Sequence, residues 1–501
     1  MKQNQVKWGV IFSYISIVLS TIYGLFITPY MIGRLGDAEY GVYKTIASLS
    51  SALLIMDMGL GSTMMRYVAK YKATGQEEKI PNFIAMNLIQ ASVLCGVILV
   101  VGAGVYQTIQ PTYAATFTPA QISKAQLLFV LLLGNMLLRV FENVLNGVIT
   151  GYNRFAFGNG TKVFQILLRA VLIVIVLNVF RNAVALVLID IGLTVIFLVV
   201  QLCYVRMSLD IPIKLTKWEK SVFWESGKYT FFMFLTSIAA QVNNNLDNVI
   251  IGALVGPEAV AVYSMGLLIF AMFESLSTAV SGVMLPTVTD VLAQDKTGNE
   301  IKQLVIKVGR VQFMLMGAAA VGFAILGKDF INLWLGEGFS NVYIVTLILI
   351  LPAMLELCVN VCLSILRANN RLGFRTTILF ASTALNLIVT YVAVKYWNYI
   401  GAAFGTAASF IIGSVVIMNI YYKKKLGLPM LRIYGQIFNR IWVCLLLAGG
   451  ALWGFSRFFC GTLWSFIAGV AVFAVVYGGS MLFYGFNEDE KQFLKIGGRK
   501  K

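Results

Sequence analysis

Polar residues interrupt the apolar stretch 229–254, which is long enough to cross a bilayer. Within it, QVNNNLDNVIIG (241–252) contains a glutamine, four asparagines and an aspartate. Helical spacing of i, i+3 and i+4 places four of these side chains on one face: Gln241, Asn244, Asp247 and Asn248. An ionised, unpaired side chain costs roughly 2.5–3.5 kcal/mol at a bilayer centre. This face is therefore predicted to meet protein or water and to bind a polar ligand.

Basic residues lie in three other apolar stretches and could bind an anion. They are Arg139 within 123–149, Lys162 and Arg169 within 161–180, and Arg310 within 303–327. A phosphate would offset the cost of burying such cations through charge-assisted hydrogen bonds. Glu142 follows Arg139 at i+3, so an ion pair within one helix is the alternative for these two residues.

Isolated acids form a third group of candidates: Asp57, Asp190, Glu274 and Glu356. Each could belong to a structural ion pair or could contact substrate or a coupling ion. We predict that Asp57, Asp247 and Glu142 take part in coupling or gating.

Several chemistries are disfavoured by composition. The chain has no histidine, which excludes an imidazole base, and its six cysteines show no metal-ligand spacing. No G-x-x-x-x-G-K-[ST] loop for ATP occurs. We therefore predict no catalytic residues, no metal and no cofactor.

The elements that position these residues are predicted to be membrane-spanning helices. The chain has 501 residues, of which 59% are hydrophobic and 12% charged, and its mean hydropathy is +0.81. Because a span needs about 20 apolar residues, about fourteen spans are predicted. Their limits are 7–32, 38–64, 81–107, 123–149, 161–180, 183–205, 229–254, 258–286, 303–327, 338–365, 375–397, 400–422, 436–456 and 462–486.

The loops alternate between basic and nearly neutral. The formal charge of +17 lies in short segments between apolar stretches, so a nucleic-acid partner is not predicted. By the positive-inside rule, the basic loops and both termini are cytoplasmic. The prediction is a multi-pass membrane protein.

An internal repeat predicts two similar halves. RLGDAEYGVY (34–43) aligns with LVGPEAVAVY (254–263), and Arg154 aligns with Arg371 at nearly the same offset. Six spans separate the paired features, which makes the repeat parallel. We predict an all-α protein with a six-helix lobe at 1–210, a second at 211–430 and two extra helices at 431–501. Such lobes usually enclose a central cavity and alternate its access, although a channel or scaffold is the alternative.

The N-terminal stretch resembles a known family. SYISIVLSTIYGLFITPYMIGRLGDAEYGVY (13–43) and the following Asp57, Gly59, Gly61 and Arg66-Tyr67 are similar to the opening of Wzx-like polysaccharide repeat-unit flippases. These belong to the multidrug/oligosaccharidyl-lipid/polysaccharide exporter superfamily. NNLDNVIIGALVG (244–256) resembles the start of that family's second half, with an acid at Asp247. The two extra helices depart from the pattern and are similar to those of lipid-linked peptidoglycan-precursor flippases.

The resemblance implies a substrate and partners. It implies that an undecaprenyl-diphosphate-linked oligosaccharide crosses a bacterial plasma (inner) membrane through a cationic cavity while its lipid tail stays in the bilayer. Membrane lipid and polysaccharide polymerase machinery are the other predicted partners. On this hypothesis, basic residues bind the diphosphate and polar residues of 229–254 bind the sugars. The diphosphate set is Arg139, Arg169 and Arg310, and the sugar set is Gln241, Asn244, Asp247 and Asn248.

Two other function classes stay open at this point. An ion-coupled drug exporter should rely on membrane carboxylates with few basic residues, which the membrane arginines disfavour. A polysaccharide polymerase or acyltransferase would be an enzyme with a sizeable outer loop, whereas the longest predicted outer loop is only 108–122. The sequence therefore favours a transporter that is not an enzyme.

Overall fold

The computed structural model describes residues 2–54, 59–281, 291, 298–368, 372–458 and 462–493. Throughout these ranges the regular structure is helical and no strand occurs. The prediction of an all-α protein is confirmed. The chain divides into two compact units, Met1–Ala261 and Val262–Lys501.

The first unit contains eight long helices and the start of a ninth among the described residues. They are α1 (Lys2–Leu35), α2 (Asp37–Leu54), α3 (Leu60–Ala73), α4 (Ile80–Tyr113), α5 (Pro119–Gly151), α6 (Phe155–Val179), α7 (Ala183–Cys203), α8 (Lys220–Leu254) and α9 (Pro257–Ser281). A π-helical turn, Tyr204–Ser208, extends α7.

The second unit continues from α9. Its helices are α10 (Asn299–Leu335), α11 (Val342–Leu357), α12 (Val361–Ala368), α13 (Leu372–Ser409), α14 (Met418–Leu426), α15 (Met430–Phe438), α16 (Ile441–Phe458), α17 (Leu463–Ser480) and α18 (Glu488–Phe493). Helix α10 packs against α11, α15, α16 and α17.

Fewer spans are found than the fourteen predicted. Among the described residues, eleven helical segments are long and apolar enough to cross a membrane. One of them, Gly373–Leu426, contains non-helical backbone at Trp397 and Asn398 and therefore holds two of the predicted spans. The predicted spans 38–64 and 229–254 are not among the eleven segments.

Close helix crossings in the first unit depend on glycine. A Cβ atom on Gly61 would lie 2.9 Å from the Asn143 carbonyl oxygen, and one on Gly147 would lie 2.5 Å from that of Gly61. Small residues let helix backbones approach closely in membranes. The crossing of α3 and α5 thereby fixes the face of α5 that carries Asn143.

Glu39 of α2 holds together the neighbouring ends of three helices. Its carboxylate accepts hydrogen bonds from Lys124 Nζ of α5 at 2.6 Å and from the Ala183 amide of α7 at 2.7 Å. Helix α5 begins with a capping box in which Thr118 Oγ1 accepts from the Gln121 amide. These contacts set the register of α5 and α7, which both line the site described next.

Candidate functional site

A polar cavity of about 540 Å³ lies among α1, α5, α6 and α7 of the first unit. Arg139, Glu142, Asn143 and Asn146 of α5 line it at helical spacing. Helix α6 contributes Thr161, Lys162, Gln165 and Arg169, while Ser16 and Ser20 come from α1 and Asp190 from α7. The structure therefore brings together three predicted site residues, Arg139, Arg169 and Glu142.

Arg169 is held in the cavity wall by two other helices. Its Nε and Nη2 atoms donate to the Asp190 carboxylate at 2.5 and 2.9 Å, and Nη1 donates to the Tyr23 hydroxyl at 2.7 Å. The side chains of Arg169 and Asp190 are 26% and 10% exposed. Asp190 thus forms a structural ion pair, and Arg169 contributes to the shape and polarity of the cavity with a guanidinium that is already engaged.

Arg139 and Lys162 differ from Arg169 in this respect. Within the described residues, no carboxylate lies within 4 Å of either cation, and Arg139 and Glu142 do not form the alternative i, i+3 pair. Both side chains line the cavity, Arg139 half-buried and Lys162 exposed. These two cations are therefore placed to receive an anionic ligand.

A smaller cavity of about 410 Å³ shares part of the same wall. Asn143, Asn146 and Lys162 line both spaces, and the smaller one continues to Phe155 and Asn159 at the start of α6. The turn between α5 and α6 carries Arg154, one of the predicted cytoplasmic residues. A polar path therefore runs along α5 and α6 from the main cavity towards this turn, with Lys162 where the two cavities meet.

The predicted sugar-binding residues of α8 do not line this cavity where they are described. Asp247 and Asn248 are buried at 3% and 5% exposure, and Asn248 Nδ2 donates to Ser48 Oγ of α2 at 2.9 Å. In this conformation Asn248 joins two helices. Asp57 and the side chains of Gln241 and Asn244 lie outside the described residues.

Arg310 occupies a closed site in the second unit. Its Nε and Nη2 atoms donate to Glu490 at 2.7 and 3.1 Å, and Nη2 also donates to the Gly485 carbonyl at 2.9 Å. Nη1 donates to the carbonyls of Gln436 and Asn439 at 3.2 and 3.0 Å. The whole residue is 2% exposed, and its guanidinium donates its hydrogen bonds to protein groups. The prediction that Arg310 binds substrate does not match this arrangement, and we reassign it to holding the C-terminal helices.

Lys162 is a residue of this site that was not predicted to bind the diphosphate. Lys162 shares the i, i+3 spacing of Gln165 in α6, yet its place at the junction of two cavities depends on how α5 crosses α6. The only signal in the sequence was a lysine inside an apolar stretch.

Comparison with known proteins agrees with this architecture. Residues 6–292 match a family described as "Polysaccharide biosynthesis protein". A Haloferax volcanii protein named "Probable flippase AglR" is 22% identical over 434 residues, which cover 84% of each chain. An uncharacterized membrane protein of Methanocaldococcus jannaschii is 20% identical over 461 residues, covering 89% of this chain and 88% of that protein.

Solved structures share the fold at low sequence identity. The lipid II flippase MurJ in an inward closed conformation has a TM-score of 0.76 at 12% identity, covering 97% of this chain and 99% of that one. An inward-facing multidrug resistance MATE family transporter of the MOP superfamily has a TM-score of 0.64 at 14% identity, covering 84% and 99%.

Fold and apolar helices together define a multi-pass helical membrane protein with a polar cavity among its helices. Since the family match spans more than half of the chain, the protein belongs to the polysaccharide biosynthesis protein family. The resemblance of the N-terminal stretch to repeat-unit flippases is thereby confirmed.

Proposed function

We propose that the protein is an alternating-access flippase that moves an undecaprenyl-diphosphate-linked oligosaccharide repeat unit from the inner to the outer leaflet for surface polysaccharide biosynthesis. The observation that carries this proposal is the cavity among α1, α5, α6 and α7, where Arg139 and Lys162 have no carboxylate within 4 Å among the described residues. Family membership and a flippase-named relative support it.

The substrate's diphosphate binds the two available cations. Lys162, at the junction of the two cavities, meets the anion first as a mobile point charge. Arg139 then binds it through the planar fork of its guanidinium, which matches phosphate oxygens. Arg169 stays with Asp190 and Tyr23 and keeps this wall polar.

Uncharged groups of the same walls bind the sugars. The amides of Asn143, Asn146 and Gln165 and the Ser16 and Ser20 hydroxyls can each donate and accept hydrogen bonds, as sugar hydroxyls do. The prenyl tail stays in the bilayer. Glu142, which has no cation within 4 Å among the described residues, is the coupling or gating acid of this cavity.

Glu142 also favours a second candidate function, an ion-coupled multidrug exporter. A carboxylate in a polar cavity would bind a cationic drug, and the fold is shared with a multidrug transporter. The two functions differ in what they require of Arg139, since a cationic drug gains nothing from a guanidinium beside it.

Complementation of a strain that lacks its own repeat-unit flippase tests the proposal. Wild type should restore surface polysaccharide, and Arg139→Ala should reduce it about 10–100-fold, because a hydrogen-bonded charged contact contributes about 1.5–3 kcal/mol. Arg139→Lys should retain more activity than Arg139→Ala, because the charge is kept while the bidentate fork is lost.

Arg181→Ala is the matched control, since Arg181 is exposed between α6 and α7. All variants are compared at equal membrane abundance. Near-normal activity of Arg139→Ala would remove Arg139 from the site. Failure of wild type to complement, combined with drug resistance that depends on Glu142, would favour the exporter instead.

A further inference from the structure

A second large cavity of the first unit is apolar and lies between α4 and the start of α8. Its volume is about 680 Å³. Val93, Leu94 and Val97 of α4 form one side, and Phe223, Trp224 and Gly227 of α8 form the other. Val93 and Val97 are 60% and 43% exposed, so this groove opens at the outer surface of the helix bundle.

Of the charged, amide and hydroxyl side chains that line the groove, all but one are already engaged. Gln90 Nε2 donates to the Phe223 carbonyl at 2.7 Å and to Ser226 Oγ at 2.9 Å. Thr230 Oγ1 shares a hydrogen bond with Thr63 Oγ1 at 2.8 Å. Apart from Lys228 and the indole N–H of Trp224, the walls described here therefore offer mainly apolar contact.

Lys228 is the exception. It lines the rim, is exposed, and has no carboxylate within 4 Å among the described residues. Glu225, three residues earlier, accepts a hydrogen bond from the Tyr67 hydroxyl at 2.8 Å. A ligand of this groove is thus expected to combine a hydrocarbon chain with an anionic group beside Lys228.

The surroundings of the groove identify the source of such a ligand. Trp218 and Trp224 are 49% and 66% exposed, and amphipathic indole rings favour the level of lipid headgroups. Lys217 and Lys220 precede the groove in the same basic segment, and basic residues near a membrane surface attract anionic lipids. A molecule with these properties reaches the groove sideways from the bilayer.

We propose that this groove binds one anionic glycerophospholipid from the leaflet facing the basic loops. An acyl chain lies along Val93, Leu94 and Val97, and the phosphate contacts Lys228. Bound there, the lipid bridges α4 and α8 and shields the hydrogen bonds of Gln90 from water. This inference depends on membrane embedding and is independent of the proposed transport function.

Native mass spectrometry of the detergent-solubilised full chain, with equal phosphatidylglycerol and phosphatidylcholine, tests the proposal. Wild type should retain one phosphatidylglycerol in about fivefold preference, the effect of one lysine near an anionic headgroup. Lys228→Gln should remove that preference. Gly227→Trp should remove the adduct, because a Cβ atom at Gly227 meets only Gln90 Nε2, at 3.5 Å, leaving the indole to fill the groove.

Matched controls separate filling the groove from general damage. Gly104→Trp adds the same side chain at an exposed position of α4 with nothing within 4 Å of its Cβ, and Lys214→Gln removes a neighbouring exposed charge. Both should bind lipid as wild type does. Lys228→Gln is a surface change and remains informative if Gly227→Trp fails to fold.

Three outcomes would overturn the proposal. The first is equal retention of the two lipids by wild type. The second is unchanged phosphatidylglycerol binding in folded Gly227→Trp and in Lys228→Gln. The third is displacement of the adduct by an equimolar polyprenyl phosphate, which would assign the groove to a prenyl tail instead.

Discussion

Arg169 and Arg310 lie in different units, yet both bind a carboxylate through two N–H groups. Arg169 pairs with Asp190 beside a polar cavity, and its side chain is 26% exposed. Arg310 pairs with Glu490 and also with three backbone carbonyls, and its side chain is 3% exposed. The same ion-pair chemistry therefore forms part of the wall of a polar cavity in one unit and a buried contact between helices in the other.

The buried contacts of Arg310 have a specific structural cause. Gln436 and Asn439 are at the C-terminal end of α15, and Gly485 ends the turn after α17. The last carbonyls of a helix lack partners within it, and a basic side chain can satisfy them. Arg310 satisfies carbonyls at two such ends at once, which explains an arginine inside an apolar helix without any ligand.

Removing the guanidinium of Arg310 should have the largest effect on stability. Arg310→Ala leaves Glu490 and three carbonyls without their partner, and breaking a buried ion pair costs about 3–5 kcal/mol. We expect a large fall in the melting temperature of the detergent-solubilised protein and low membrane abundance. Fluorescence-detected size-exclusion chromatography after heating measures both.

Arg432→Ala is the control for this variant, since Arg432 is exposed on α15. It should melt as wild type does. A stable, abundant Arg310→Ala protein that has lost transport would contradict the structural role and return Arg310 to the substrate site.

This comparison also shows what the sequence can and cannot predict. Long apolar stretches predicted the helices, and i, i+3 spacing correctly grouped Arg139 with Glu142 on one face of α5. Such local patterns depend only on helix geometry. They cannot reveal that the partner of Arg310 lies 180 residues further along the chain.

The same limit applies to α8. Its polar face was predicted to meet protein or water and to bind a polar ligand, and in the structure Asn248 meets protein by bonding to Ser48, 200 residues earlier. A polar side chain in a span needs a partner, but spacing within its own helix does not say whether that partner is a ligand or another helix.

Isosteric neutralisation of Asp190 and Glu490 measures how far the surroundings of the two ion pairs differ. Glu490→Gln leaves a buried guanidinium without a counterion and should destabilise by about 3 kcal/mol or more. Asp190→Asn leaves Arg169 partly exposed beside a polar cavity large enough for water, so a smaller loss of about 1–2 kcal/mol is expected. Melting temperatures of the two variants, measured in the same detergent, give the difference. Equal losses would show that the surroundings of Arg169 are as dry as those of Arg310.

Lys162→Gln should have the smallest effect on stability, within about 0.5 kcal/mol, because Lys162 is exposed in the cavity and has no carboxylate within 4 Å among the described residues.

The effect of Lys162→Gln should appear in substrate capture instead. An exposed charge attracts an anion over a distance that salt shortens. Transport by wild-type proteoliposomes should therefore fall as salt rises, whereas Lys162→Gln should start lower and change less. If wild type and variant respond equally to salt, Lys162 does not attract the anion, and Arg139 is the remaining unpaired cation of this cavity.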